Sequence, residues 1–202
     1  MTIPMLNDSY RRSLITGALA WGFCARPAMA ITETEATGFI ARLVADIDRV
    51  IAAGGSEAAM IERFESLFIR YADVEIMGQY ALGVDGRSAS AAQKRAFNAA
   101  FSRYISRKYG GRFRQFIGGR IEIEGARRIK PGYEITTTAH LKGESPIEVI
   151  FLVSDKSGQG QFFNMFIEGV NLLLTERAEI GAMLDRHGGN IDKMTADLVK
   201  AG

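Results

Sequence analysis

The sequence predicts an α+β protein in which helices pack on an antiparallel sheet. Two changes of period predict it. From Phe39 to Ile105 apolar residues recur at spacings of three and four, the mark of amphipathic helices. From Ile121 to Ile167 the period falls to two, the mark of strands, and helical spacing then returns to the end of the chain. No internal repeat or low-complexity linker interrupts this order, so residues 31–202 read as one domain.

The first helix carries Phe39, Ile40, Leu43, Val44, Ile47, Val50 and Ile51 and stops at Gly54-Gly55. Ser56 caps a second helix with Met60, Ile61, Phe64, Leu67, Phe68 and Tyr71 on its inner face. A third, short helix covers Val74 to Leu82, and Gly83 to Ser88 is a loop. Ser90-Ala91-Ala92-Gln93 is a capping box that opens a longer helix, with Phe97, Ala100, Phe101, Tyr104 and Ile105 on one stripe. Gly110-Gly111 is its expected end.

Four strands follow. They are built on Ile121 and Ile123, on Tyr133 to Leu141, on Ile147 to Val153, and on Phe162 to Ile167. Pro131-Gly132, Lys142 to Ser145 and Lys156-Ser157-Gly158 read as the turns of a meander. Two closing helices span about Asn171 to Leu184 and Asn190 to Val199, with Gly188-Gly189 between them. The last two strands are apolar on both faces: Ile150 and Leu152 oppose Val149 and Phe151, and Phe162, Phe163, Met165, Phe166 and Ile167 run almost unbroken. Such strands need cover on both sides. Either the sheet is fully covered, or a cavity lies between sheet and helices.

Residues 1–30 read as an export signal outside the fold. Arg11-Arg12 precede an uncharged run from Ser13 to Ala25, too short for a bilayer span of about 20 residues. Ala28-Met29-Ala30 supplies the small residues of a cleavage site. Tyr10 to Ile15 resembles a twin-arginine signal, and an ordinary secretory signal is the alternative. Cleavage after Ala30 removes Cys24, the only cysteine, and leaves as many basic as acidic residues. A periplasmic domain without disulfides or thiolate chemistry is the expectation.

Catalytic and metal motifs are missing. His140 and His187 have no partner at metal-ligand spacing, and no phosphate loop, nucleophile elbow or H-E-x-x-H is present. No metal, cofactor or enzymatic activity is expected. Basic residues gather between Arg103 and Lys130, where Arg103, Arg107, Lys108, Arg112, Arg114, Arg120, Arg127, Arg128 and Lys130 face only Glu122 and Glu124. This stretch is either a solvated face or a docking patch for anionic headgroups or an acidic partner. Nucleic acid is not an expected partner, because no aromatic stacking motif accompanies the charge.

Three ordered segments resemble the MlaC family of periplasmic phospholipid-binding proteins, also called the toluene-tolerance family. The first is Met77-Gly78-Gln79-Tyr80 with Ser90 to Arg95, Phe97 to Phe101, Tyr104 and Tyr109 downstream. The second is Pro146 leading into Ile147-Glu148-Val149-Ile150-Phe151. The third is Asn164 to Asn171, where a strand breaks into a helix at Glu168-Gly169-Val170. The resemblance runs from about Phe39 to Leu198. The chain departs from the family pattern at Asn164, where Asp is usual, at Gly160, where an aromatic is common, and at Gly83 to Arg87, which read as a small insertion.

The resemblance implies a curved antiparallel sheet and helices, related to the nuclear-transport-factor-like cone, around a pocket for phospholipid tails. It also implies a monomeric carrier moving lipid between an outer-membrane lipoprotein complex and an inner-membrane transporter of the ATP-binding-cassette type. The expected tail contacts are Tyr80, Phe97, Phe101 and Tyr104 from helices, with Ile135, Val149, Phe151, Val153, Met165, Ile167 and Val170 from the sheet region. Arg107, Lys108, Arg112 and Arg114 are the expected docking or headgroup contacts. Two rivals stand beside this reading. One is a carrier of a polycyclic lipid such as a hopanoid; the other is an enzyme on the same fold using a buried acid, with Glu168, Tyr80 and Tyr133 as its candidates.

Overall fold

The computed structural model describes residues 31–110 and 119–201. Residues 1–30, which the sequence reads as an export signal, lie outside the described residues, as do Arg112 and Arg114. Four helices come first: α1 (Glu33–Ala53), α2 (Glu57–Tyr71), α3 (Val74–Leu82) and α4 (Ala91–Gly110). A sheet follows with β1 (Arg120–Arg128), β2 (Tyr133–His140), β3 (Ile147–Ser154), β4 (Gln161–Ile167) and β5 (Val170–Asn171), and the chain closes with α5 (Leu172–Arg186) and α6 (Ile191–Leu198). Among the described residues no helix is long and apolar enough to cross a membrane.

Helix starts follow local chemistry. Thr32 and Glu35 close a capping box, so α1 begins six residues before the first apolar stripe residue, Phe39. Ser56 accepts from the Ala59 amide and Ser90 from the Gln93 amide, while the Gln93 side chain returns the bond to Ser90 N–H. Gly78 lets α3 approach α4: a Cβ there would stand 2.1 Å from Asn98 Oδ1. Half of the loop after α3 tightens into a single 3₁₀ turn over Asp85–Arg87.

The sheet is an antiparallel meander in the order β1-β2-β3-β4-β5. Its register places Ile121, Ala139, Ile147 and Ile167 towards one end, and Tyr133, Val153 and Phe162 towards the other. A bulge between Ile123 and Gly125 shifts the pleat of β1 so that Ala126 still faces inward beside Ile135. β5 is a departure from the sequence reading, which ran β4 directly into a helix. Glu168 (φ 49°) and Gly169 (φ 75°) form a two-residue hairpin loop that pairs Ile167 with Val170 before α5 starts.

Asn164 explains how the chain then turns into α5. Its Oδ1 accepts from the Leu173 amide at 3.3 Å, and its Nδ2 donates to Asn171 Oδ1 at 3.1 Å. Asn171 in turn caps α5 through the Leu174 amide. An amide at position 164 both donates and accepts here, which an ionised carboxylate cannot do.

Helices cover the inner face of the sheet, with α1 across β1 to β3 and α3 and α5 against β4. The outer face carries the ion pairs Arg127–Glu134 and Arg120–Glu122, with half-buried Ile150, Leu152 and Phe166 beside them. The two-sided apolar strands therefore meet a helix layer on one face only. A second polar tie joins α1 to α2: buried Asp46 accepts from the Tyr71 hydroxyl at 2.7 Å and pairs with Arg70 and Arg49. The Tyr71 hydrogen bond, helped by the two guanidinium groups against the cost of burial, holds the Asp46 carboxyl below its ordinary value.

Candidate functional site: an apolar cavity between sheet and helices

The inner face of the sheet does not meet the helices everywhere. Between them lies a cavity of about 200 Å³. The helical wall consists of Leu43 and Ile47 from α1, Phe64, Leu67 and Phe68 from α2, Met77 from α3, Ile105 and Tyr109 from α4, and Leu172 from α5. The sheet wall runs from Ile121 through Thr137, Ala139 and Leu141 to Ile147, Val149, Phe151, Phe162, Met165 and Ile167. These are the stripes that helical spacing and strand alternation put on the inner faces; the cavity is where the stripes fail to close.

No charged side chain lines it. Of the two polar ones, Thr137 is satisfied, its hydroxyl donating to Val149 O at 2.7 Å. Tyr109 turns its hydroxyl away from the apolar space and donates to Glu176 Oε1 at 2.5 Å. The cavity can therefore take an apolar group out of water, and it presents no acid, base or nucleophile to act on one. Among the described residues no group of His, Cys, Asp and Glu is placed to hold a metal ion.

Behind the α4 wall sits a polar cluster that runs from fully buried Glu176 out to exposed Glu179. Lys108 Nζ lies 2.9 Å from Glu176 Oε1 and 2.7 Å from Glu179 Oε1, and the Tyr104 hydroxyl donates to Glu179 Oε2 at 2.7 Å. Lys108 and Tyr104 hold Glu179 below the usual carboxylate range. Burial alone pushes the Lys108 ammonium down, but the two carboxylates outweigh it and hold it above its ordinary value. Burial and the Glu179 bond push the Tyr104 hydroxyl up. Glu176 is fully buried, and its Oε2 has no hydrogen-bond partner. This cluster fastens α4 to α5 and so fixes one wall of the cavity.

The structure brings Val149, Phe151, Met165 and Ile167 together in the lining. It places the other expected tail contacts elsewhere. Val153 and Ile135 share the inner face but lie one step beyond the cavity, fully buried among neighbours. Phe97 and Phe101 stack at 5.7 Å inside the solid core, and Tyr104 faces the polar cluster. Tyr80 is 41% exposed, with the Arg177 guanidinium 5.2 Å over its ring, and Val170 is exposed in the β5 hairpin.

Two members of the basic stretch, Arg107 and Lys108, are engaged within the protein, while Arg103, Arg120, Arg127, Arg128 and Lys130 stay exposed. Arg107 donates to the carbonyls of Leu198 and Ala201 and so caps the end of α6, while Lys108 is held by two carboxylates. Arg103 pairs with Glu65, and Arg128 lies over Tyr133. The acid-and-tyrosine set is not assembled either. Glu168 is exposed and accepts from the Glu148 amide just past the Ile167 end of β4, whereas Tyr133 pairs with Val153 towards the other end of the sheet. What sequence reasoning missed is the helical wall. Leu43, Ile47, Phe64, Leu67 and Phe68 were visible as stripe residues, but nothing along the chain marks which stripe residues face a gap.

An antiparallel sheet and a helix layer around an apolar cavity form an architecture that can enclose hydrophobic groups. The model of the MlaC protein family matches residues 40–200, and the chain belongs to that family. Its fold is also that of a solved structure of a phospholipid-binding protein from Ralstonia solanacearum in complex with a phospholipid, at 18% identity and a TM-score of 0.69. The match covers 81% of this chain and 98% of that one.

Proposed function

We propose that this chain is a periplasmic carrier that shields the acyl tails of a phospholipid in the cavity and passes the lipid between an outer-membrane lipoprotein complex and an inner-membrane transporter of the ATP-binding-cassette type. The observation that carries this reading is the lining, apolar throughout apart from Thr137 and Tyr109, whose hydroxyls are both bonded within the protein. Family membership and the phospholipid held by the Ralstonia relative support it. Residues 1–30, read as an export signal, supply the route to the periplasm.

The energetics set the terms of transport. Each buried CH₂ is worth about 0.8 kcal/mol, so two tails with roughly ten buried groups each gain on the order of 15 kcal/mol over water. Release into water is negligible on that scale, and a partner must take the lipid directly. The cavity of about 200 Å³ is little larger than an engineered one of about 150 Å³ that admits benzene. Two tails therefore require sheet and helices to part, and apolar walls without cross-cavity hydrogen bonds leave them free to do so.

The test is transfer of labelled phospholipid from donor to acceptor vesicles. Wild-type protein is expected to accelerate transfer, and Val149→Asp, which puts a charge in the middle of the lining, to abolish it while the protein stays folded. No acceleration by the wild type, or full activity of the variant, overturns the reading.

A further inference from the structure

The two ends of the cavity are built differently. Towards one end Ile121, Ile147 and Ile167 are half-buried, so the lining reaches the surface there. At the other end the lining stops on rings: Phe151 meets Phe162 edge-on at 5.6 Å, and Phe162 meets Phe68 at 6.1 Å. Phe68 is backed by Phe101 at 6.5 Å. All these rings are buried, and next along β3 stands Val153, with no exposed surface. Backbone bonds pin this end as well. Phe162 pairs with Val153, bridges to Ala72, and accepts from the Asp73 amide at 2.8 Å.

From Ile147 to Phe151 the strand advances four residues, about 13 Å at about 3.3 Å each. An extended hydrocarbon chain with C–C bonds of about 1.5 Å gains about 1.25 Å per carbon, so this length takes about ten carbons. Parting of the walls widens the cavity but leaves its pinned floor in place. We infer that Phe151 and Phe162, backed by Phe68, are specificity-determining residues that set the length of acyl chain the cavity accepts. The inference rests on the lipid-carrier reading above.

A competition experiment tests it. The purified protein is equilibrated with mixed vesicles of phosphatidylglycerols carrying even-numbered saturated tails from about eight to about eighteen carbons. It is then re-isolated, and its lipid is extracted and quantified by mass spectrometry. For the wild type the ratio of bound to offered lipid is expected to hold up to about ten or twelve carbons and then to fall with each further carbon. A carbon withdrawn from the bilayer and left in water costs about 0.8 kcal/mol, roughly fourfold. In Phe151→Ala the break moves to tails longer by about two to four carbons. In Val149→Phe, which brings a ring one step closer to Ile147, it moves to shorter tails. Ile69→Ala, on the exposed face of α2 outside the lining, leaves the break where it is.

A flat profile in the wild type, or a break unmoved in both floor-directed variants, overturns the inference while lipid binding itself stands. No phospholipid of any length on the wild type overturns the carrier reading and the inference with it. The two variants push in opposite directions, so loss of folding in one leaves the other to decide.

Discussion

The α4 core and the β3–β4 wall carry the same kind of sequence and do opposite things. Phe97 and Phe101 form a stripe at helical spacing, fully buried, stacked on each other and with Phe68 against Phe101. Val149 and Met165 form rows at strand spacing, half-buried, with the cavity in front of them. The first region resembles a molecular crystal, where each missing methylene is felt. The second is a surface that has been turned inward. Whether an apolar stripe is core or lining depends on what stands opposite, and that is settled by other parts of the chain.

The comparison breaks most sharply under truncation. Phe101→Ala should cost about 3–5 kcal/mol, the usual penalty for emptying a filled aromatic site. Met165→Ala, already facing open space, should cost about 1 kcal/mol. Urea unfolding of both variants checks this, and equal losses would mean that the lining is packed like the core. A slightly smaller effect is expected at the cluster that fastens the α4 wall. Lys108→Met removes the ammonium that pairs with fully buried Glu176, and breaking such a buried pair costs about 3 kcal/mol. Thermal unfolding of that variant reads the loss, and a neutral outcome would show that the cluster holds nothing in place.

The smallest effect sharpens the contrast away from the cavity, at the tie between α1 and α2. Asp46 has a folded-state value held below its ordinary one of 3.8, so its contribution is present above about pH 4 and is lost as pH falls through the lowered value. Wild-type melting temperature should therefore drop on acidification from about pH 5 to pH 3. Tyr71→Phe removes the largest cause of the lowering and should flatten that slope, whereas a slope unchanged by Tyr71→Phe would assign the acid response to other carboxylates.

Much of the fold was legible because periodicity is local. The stripes of α2 and α4, the four long strands and their turns can be read residue by residue. Features that depend on distant partners cannot. Arg107 and Lys108 look like a free basic patch until α5 and α6 deliver Glu176, Glu179 and the carbonyls of Leu198 and Ala201. β5 escaped notice because Glu168 occupies a positive φ without the Asn-Gly or Asp-Gly signature of such loops. The early start of α1 was present in Thr32 and Glu35, a capping box ahead of the apolar run. Tyr80 was misplaced for a simpler reason. An aromatic inside a motif suggests a pocket, but its turn of α3 faces Arg177 and solvent.

The most direct measurement is native mass spectrometry of the protein recovered from its native cells, followed by organic extraction of whatever it holds. The account predicts one phospholipid per chain, released intact on denaturation. Protein that emerges without lipid and takes none up from vesicles would contradict it, and a polycyclic lipid in place of a phospholipid would reassign the cavity to a different cargo.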